Sequence, residues 1–166
     1  MIGPALNSPT MKLDRIRSLT TWICLLALAV VACGCSSFER EWRRAEHTSF
    51  STNTIAGPWE GTWRSEVTDH SDQLRCLITP RTNNPFSARF HAKYKSLIRF
   101  SFGYTVPLAV YAKEEGFQFE GEADLRWYAG GTYRYMGFAT PTNFFSTYQS
   151  KYDHGTFQMS RPRRSE

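Results

Sequence analysis

Gly57-Pro58-Trp59-Glu60-Gly61-Thr62-Trp63 is the stretch on which the fold turns. Trp59, Gly61 and Trp63 occupy alternate positions, with Glu60, Thr62 and Arg64 falling between and after them. A period of two places both tryptophans on one face of an extended strand and the polar residues on the other. The same period returns downstream as far as Arg161, broken by short runs of turn residues.

Leu74, Cys76 and Ile78 alternate with polar neighbours. Phe86, Ala88, Phe90, Ala92 and Tyr94 then oppose Ser87, Arg89, His91, Lys93 and Lys95, the most two-faced strand in the chain, whose basic stripe is expected to face solvent. Phe100, Phe102 and Tyr104 share a face, Gly103 suggests a bulge, and Val106 to Ala112 is expected as a separate strand after a short turn. Glu114-Glu115-Gly116 is a hairpin signal. Past it, Phe117, Phe119 and Gly121 alternate with Gln118, Glu120 and Glu122, and a break follows over residues 124–131. Thr132 to Phe138, Phe144 to Ser150 and Thr156 to Arg161 complete eight or nine short strands.

Links of two to five residues cannot carry parallel crossovers, which need about a dozen, so the strands must form an antiparallel meander. A twisted sheet of about eight strands tends to close, because closure removes unpaired edges. The expected fold is all-β: a small antiparallel up-and-down barrel over residues 57–163, with a β-sandwich as the alternative and residues 164–166 as a tail.

At 166 residues and 19.1 kDa the chain has room for one such core. Three of its 20 basic residues and one of its 15 acidic residues precede Cys33, which leaves +3 of the formal +5 net charge on the remainder. That is an ordinary solubility charge, and nucleic acid is excluded as the expected partner.

Residues 1–32 read as a leader, with Met11 as a possible true start. Lys12, Arg15 and Arg17 form a positive segment ahead of the uncharged run Leu19 to Ala32. That run of 14 residues is short of the roughly 20 that span a bilayer. Val30-Val31-Ala32-Cys33 resembles the lipobox of bacterial lipoproteins. The resemblance implies that the leader is removed, that Cys33 becomes the acylated N-terminus, and that the protein is held at a membrane of the cell envelope, on its periplasmic side. Cys35 is the second choice, with only Ala and Cys at the corresponding upstream positions. Cys76, on the apolar side of its strand, is either a small core residue or a disulfide partner for Cys35.

Residues 33–56 are expected to form a tether containing a short amphipathic helix. Ser36 and Glu39 stand at capping-box spacing, and Phe38, Trp42 and Ala45 fall on one helical face. A helix of about nine residues does not persist alone in water. Its apolar stripe must lean on the membrane surface or on the end of the following domain, unless the segment is a frayed tether. Residues 47–55, rich in Ser, Thr and Asn, read as linker.

Gly61-Thr62-Trp63 resembles the G-x-W of lipocalins and the wider calycin group. With the lipobox and the Phe-Glu-Arg-Glu-Trp helix, the chain is similar to bacterial lipoproteins with a lipocalin-like domain. The resemblance implies that Gly61 and Trp63 close one end of the barrel beneath an arginine stacked on the Trp63 ring, for which Arg161 is the candidate and Arg163 the second. It also implies an interior for a small apolar or amphipathic ligand, with Phe90, Tyr94, Phe102, Phe119, Tyr133 and Tyr135 as lining residues. Arg134 joins these candidates, because one face of its strand must point inward and carries either the arginine or the two tyrosines.

No G-x-S-x-G, H-E-x-x-H or phosphate-cradling glycine loop occurs, and neither cofactor nor metal is expected. Glu120, Glu122 and Asp124 sit on the polar face of one strand, and His70, His91 and His154 in turns or on the charged stripe. A ligand-binding lipoprotein is therefore expected, with a filled structural or protein-interaction barrel as the alternative and an enzyme as the least supported class.

Overall fold

Eight strands run in chain order around one closed barrel: β1 (Gly57–Ser65), β2 (Ser71–Thr79), β3 (Phe86–Lys95), β4 (Arg99–Lys113), β5 (Gly116–Asp124), β6 (Thr132–Ala139), β7 (Asn143–Gln149) and β8 (His154–Ser160). The computed structural model describes residues 37–48, 53–82, 86–95 and 99–163, and of residues 94, 95, 99, 100 and 128 the backbone only. The leader, Cys33, Cys35, Ser36 and the tail lie outside the described residues. Apart from Ser37, the described residues belong to one unit, Phe38–Glu166. Among them no helix is long and apolar enough to cross a membrane.

Every neighbouring pair is antiparallel, and the ring closes where β1 meets β8, from Glu60 opposite Ser160 to Ser65 opposite Gly155. The expected barrel is therefore the fold, and the sandwich is not. The expected break near Thr105 is absent. β4 runs unbroken for 15 residues because its first part pairs with β3 and its last part with β5, Leu108 touching both. Gly103 sits in continuous register opposite His91, so it marks no bulge.

Two glycines of β1 are required, one by its backbone angle and one by the closure. Gly57 has φ 117°, a conformation open to glycine and costly for residues with a Cβ. A Cβ on Gly61 would lie 2.0 Å from the Gln158 carbonyl oxygen and 2.7 Å from the Met159 Cα. Backbone must meet backbone there for β8 to hydrogen-bond β1.

Alternate residues of all strands build the interior. Trp59, Cys76, Ile78, Ala88, Phe90, Val106, Leu108, Phe119 and Phe144 are buried in one cluster. Phe119 stacks on Phe144 at 4.6 Å, and Trp59 lies 5.5 Å from the same ring. Ile55, expected in a linker, is 1% exposed and plugs this end of the barrel. Cys76 is a buried free thiol, and burial raises its pKa well above the usual thiol range, which keeps it protonated and inert.

A helix over residues 37–46 lies against the outside of the barrel wall. Phe38, Trp42 and Ala45 are buried and cluster with the outward-facing Leu77 of β2. The Arg75 guanidinium sits 4.8 Å over the Trp42 ring and 3.5 Å from Glu39, while Arg89 bonds Glu41 at 2.7 Å. His91 stacks on Phe38 at 4.7 Å, and its pKa is lowered first by burial and then by Lys93. The basic stripe of β3 is thus partly covered by this helix, contrary to its expected exposure. Burying Phe38 and Trp42 stabilises by about 2 to 3 kcal/mol each, which offsets the helix's weak intrinsic stability.

Gly61→Ala is expected to destabilise the barrel by about 3 kcal/mol, since the obstructing atoms are backbone and cannot rotate away. Urea unfolding of the variant measures this. A loss under about 0.5 kcal/mol would contradict the crowding at the seam.

Candidate functional site

The two ends of the barrel differ in what fills them. At the end where β1 begins, the guanidinium of Arg161, one residue beyond β8, lies 3.7 Å from the centroid of the Trp59 ring. Its Nη1 donates to the Pro58 carbonyl at 3.3 Å, its Nη2 to the Thr54 carbonyl at 3.1 Å, and its Nε to the Pro141 carbonyl at 3.3 Å. Trp59 Nε1 donates to the Ile55 carbonyl at 2.9 Å. Burial lowers the Arg161 pKa to about 10, which leaves it charged at neutral pH.

Arg161 therefore covers Trp59, not Trp63 as the Gly61-Thr62-Trp63 resemblance implies. Antiparallel pairing gives the reason: the end of β8 faces the start of β1, with Ser160 opposite Glu60. Trp63 is four residues further, about 13 Å along the strand. The Gly-x-Trp spacing in fact occurs twice, and Gly57-Pro58-Trp59 is the copy that the arginine meets.

Trp63 belongs to the opposite end, where the interior is hollow. A cavity of about 410 Å³ opens there. Trp63 of β1, Leu74 of β2 and Ala92 of β3 form one side, with Phe102 and Tyr104 of β4 next to them. Tyr133 and Tyr135 of β6, Tyr148 of β7 and Phe157 of β8 complete the ring, and Leu125 and Ala129 of the β5–β6 connection reach the mouth. That connection holds a short 3-10 turn, Trp127–Ala129, and is tied by bonds from Leu125 N to the Gly131 carbonyl and from Gly131 N to the Arg126 carbonyl.

Of the residues expected to line the interior, Phe102, Tyr133 and Tyr135 are at the cavity. Phe90 and Phe119, 1% and 2% exposed, are not: they lie deeper and fill the barrel below it. Phe90 forms part of its floor by stacking on Tyr104 at 5.3 Å and Tyr135 at 6.0 Å. Tyr94 holds the strand position opposite Phe100, and its side chain is outside the described part. Arg134 points out of the barrel, its Nε donating to Glu122 at 3.0 Å with the side chain 80% exposed. The period of two left its face undecided, and the inward placement of the tyrosines, Tyr135 buried and Tyr133 partly buried, decides it: a charged guanidinium costs more to bury than two phenols.

Tyr104, Tyr148, Phe157 and Asp153 were not foreseen as lining residues. In Phe144-Phe145-Ser146 the apolar pair spans both faces, so the alternation of β7 does not reveal which side Tyr148 takes. Only the buried Ser146, whose Oγ donates to the Met136 carbonyl at 3.1 Å, shows it. Asp153 reads as an ordinary turn residue. Folded, its Oδ1 accepts from Ser65 Oγ at 2.7 Å and its Oδ2 from Tyr148 Oη at 3.2 Å. Burial pushes the Tyr135 and Tyr148 hydroxyls well above the usual phenol range, in Tyr148 with help from Asp153, so both stay protonated.

The other polar candidates lie outside the barrel. Glu120 accepts from Tyr111 Oη at 3.0 Å, Glu122 pairs with Arg134, and Asp124 Oδ1 accepts from Arg126 N at 2.8 Å. His154 is exposed and 3.6 Å from Glu66, while the His70 ring sits 5.2 Å from that of Trp63. Among the described residues no group of His, Cys, Asp and Glu is arranged to hold a metal ion.

No family model, curated protein or solved structure matches this chain. Fold and site define its class by geometry alone: a closed eight-stranded antiparallel barrel, packed solid at one end and open to an aromatic cavity at the other.

The two tryptophans are expected to differ in stability measurements. Trp59→Ala should cost about 3 to 5 kcal/mol as a cavity in a fully packed region. Trp63→Ala should cost less than half as much, because part of its ring already faces open space. Chemical denaturation of both variants tests the assignment, and equal losses would contradict it.

Proposed function

We propose that this chain is an envelope lipoprotein whose lipocalin-like barrel binds a small apolar or amphipathic molecule at its open end. The observation that carries the proposal is the cavity of about 410 Å³, within the range of roughly 300 to 1,000 Å³ of pockets that enclose small molecules. Its walls are aromatic and aliphatic, with tyrosine hydroxyls to orient a polar end. The arginine-covered tryptophan at the closed end supports the lipocalin-like reading, although on Trp59. Acylation at Cys33, or at Cys35, would hold the protein to the membrane on the periplasmic side, where apolar molecules need a carrier.

Binding is favoured over catalysis by the character of the polar groups. Phenols whose pKa is raised by burial are poor proton donors and acceptors at neutral pH, where a catalytic group works best with a pKa near the ambient pH. A second reading, a protein-interaction role, draws on the outer wall. Phe138 and Phe145 lie opposite each other on β6 and β7 and are 37% and 45% exposed, with Met136 beside them at 61%.

Ala92→Leu extends a side chain into the cavity from a small, nearly buried position. The variant is expected to keep the wild-type circular dichroism and to bind a neutral apolar fluorophore at least about tenfold more weakly. Wild-type protein that fails to bind such probes, or an Ala92→Leu variant that binds them as well, would remove the carrier function and favour the interaction role. Cys33→Ser is expected to shift the protein from the membrane to the soluble fraction of cells. Retention of processed variant in the membrane would move the anchor to Cys35 or refute it.

A further inference from the structure

We infer that the cavity selects organic cations, specifically amphiphiles carrying a quaternary or tertiary ammonium group. The inference rests on the ligand-binding reading above and names the chemistry of the ligand. Among the described residues, twelve line the cavity: seven are aromatic, four are aliphatic, and one, Asp153, is charged.

The first reason is the density of ring faces. Tyr133 and Tyr148 lie 6.0 Å apart, Tyr148 and Phe157 5.0 Å, and Phe102 and Tyr104 5.7 Å. Aromatic faces carry the negative part of the ring quadrupole, so a cation enclosed by several of them is stabilised most when it has left water. An alkylated ammonium loses little hydration on entering such a site, whereas a carboxylate or phosphate would meet the negative faces unfavourably.

The second reason is the sign of the single charge. Asp153 is half-buried, and two hydroxyls donate to it, Ser65 to Oδ1 and Tyr148 to Oδ2. Ser65 is 1% exposed, so this arrangement is built into the wall. Among the described residues Asp153 forms no ion pair, and no Lys, Arg or His lines the cavity. The carboxylate is oriented by neutral donors and its charge is left for a ligand to balance. Tyr135 and Tyr148, held protonated by burial, add no competing charge.

Aliphatic residues beside the rings, Leu74 and Ala92 on the wall and Leu125 and Ala129 at the mouth, suit a hydrocarbon portion. The ligand class is therefore a monocation with an apolar chain, its head among the rings near Asp153.

Calorimetric titration of the purified protein with decyltrimethylammonium, 1-decanol and decanoate tests this, because the three probes share a chain and differ in charge. The cation is expected to bind at least about tenfold more tightly than either of the others. Equal affinities, or a preference for the alcohol or the carboxylate, would overturn the cation preference and leave the cavity's binding role standing. Binding by none of the three would overturn the binding role itself. Asp153→Asn is expected to reduce the ratio of cation to alcohol affinity about tenfold. Phe102→Leu, which keeps an apolar side chain at the wall, is expected to reduce it by about threefold. A ratio unchanged in both variants would show that neither the carboxylate nor the rings select the charge, which overturns the inference.

Discussion

The contact between Arg161 and Trp59 is the constraint on which the barrel's closed end depends. The guanidinium covers the indole at 3.7 Å and donates to carbonyls before β1, within β1 and in the β6–β7 turn. One side chain thus ties the first strand, the last strand and a turn between two others. A cation held against a ring and shielded from water contributes about 2 kcal/mol, several times its value at an exposed site. Gly61 complements it further up the same seam by letting β8 approach where any Cβ would collide.

Because that end is sealed, the other can remain open. Trp59, Phe119 and Phe144 pack without a gap, while Trp63 and the tyrosines four or more residues along the strands surround empty space. A hollow lined by apolar groups forgoes the dispersion contacts that a filled core would make. The packed half has to supply stability for both. The gradient along the barrel, from solid to hollow, is what separates the residues that hold the fold from those available to a ligand.

The helix over residues 37–46 shows how a charged strand face becomes part of a packed surface. Arg75 and Arg89 lay their guanidinium groups over Trp42 and Phe38 while pairing with Glu39 and Glu41. Arginine suits this position because its flat, weakly hydrated cation can stack and bond at once. The helix therefore shields Leu77 and His91 on the outer wall, and its own apolar stripe is already occupied by the protein.

Alternation and loop length indicated most of the strands, their antiparallel order and a closed barrel ahead of a sandwich, because side-chain period and loop length are local properties of the chain. That β4 is one strand and not two depended on its pairing with both β3 and β5. Alternation also marked the apolar stripe of the helix and the inward tyrosines of β6 as one of two choices. What it left open were relations between distant residues. Which tryptophan lies under Arg161 depends on the register between β1 and β8. Whether Arg134 or Tyr135 faces inward depends on the cost of burying each. Phe90 looks the same as Phe102 in an alternating strand, yet one is core and the other lines a cavity, because depth along the barrel is set by the stagger of eight paired strands. Asp153, an unremarked turn residue in the chain, becomes the one charged residue among the described residues of the cavity wall, held by bonds to Ser65 and Tyr148 that only the closed ring brings to it.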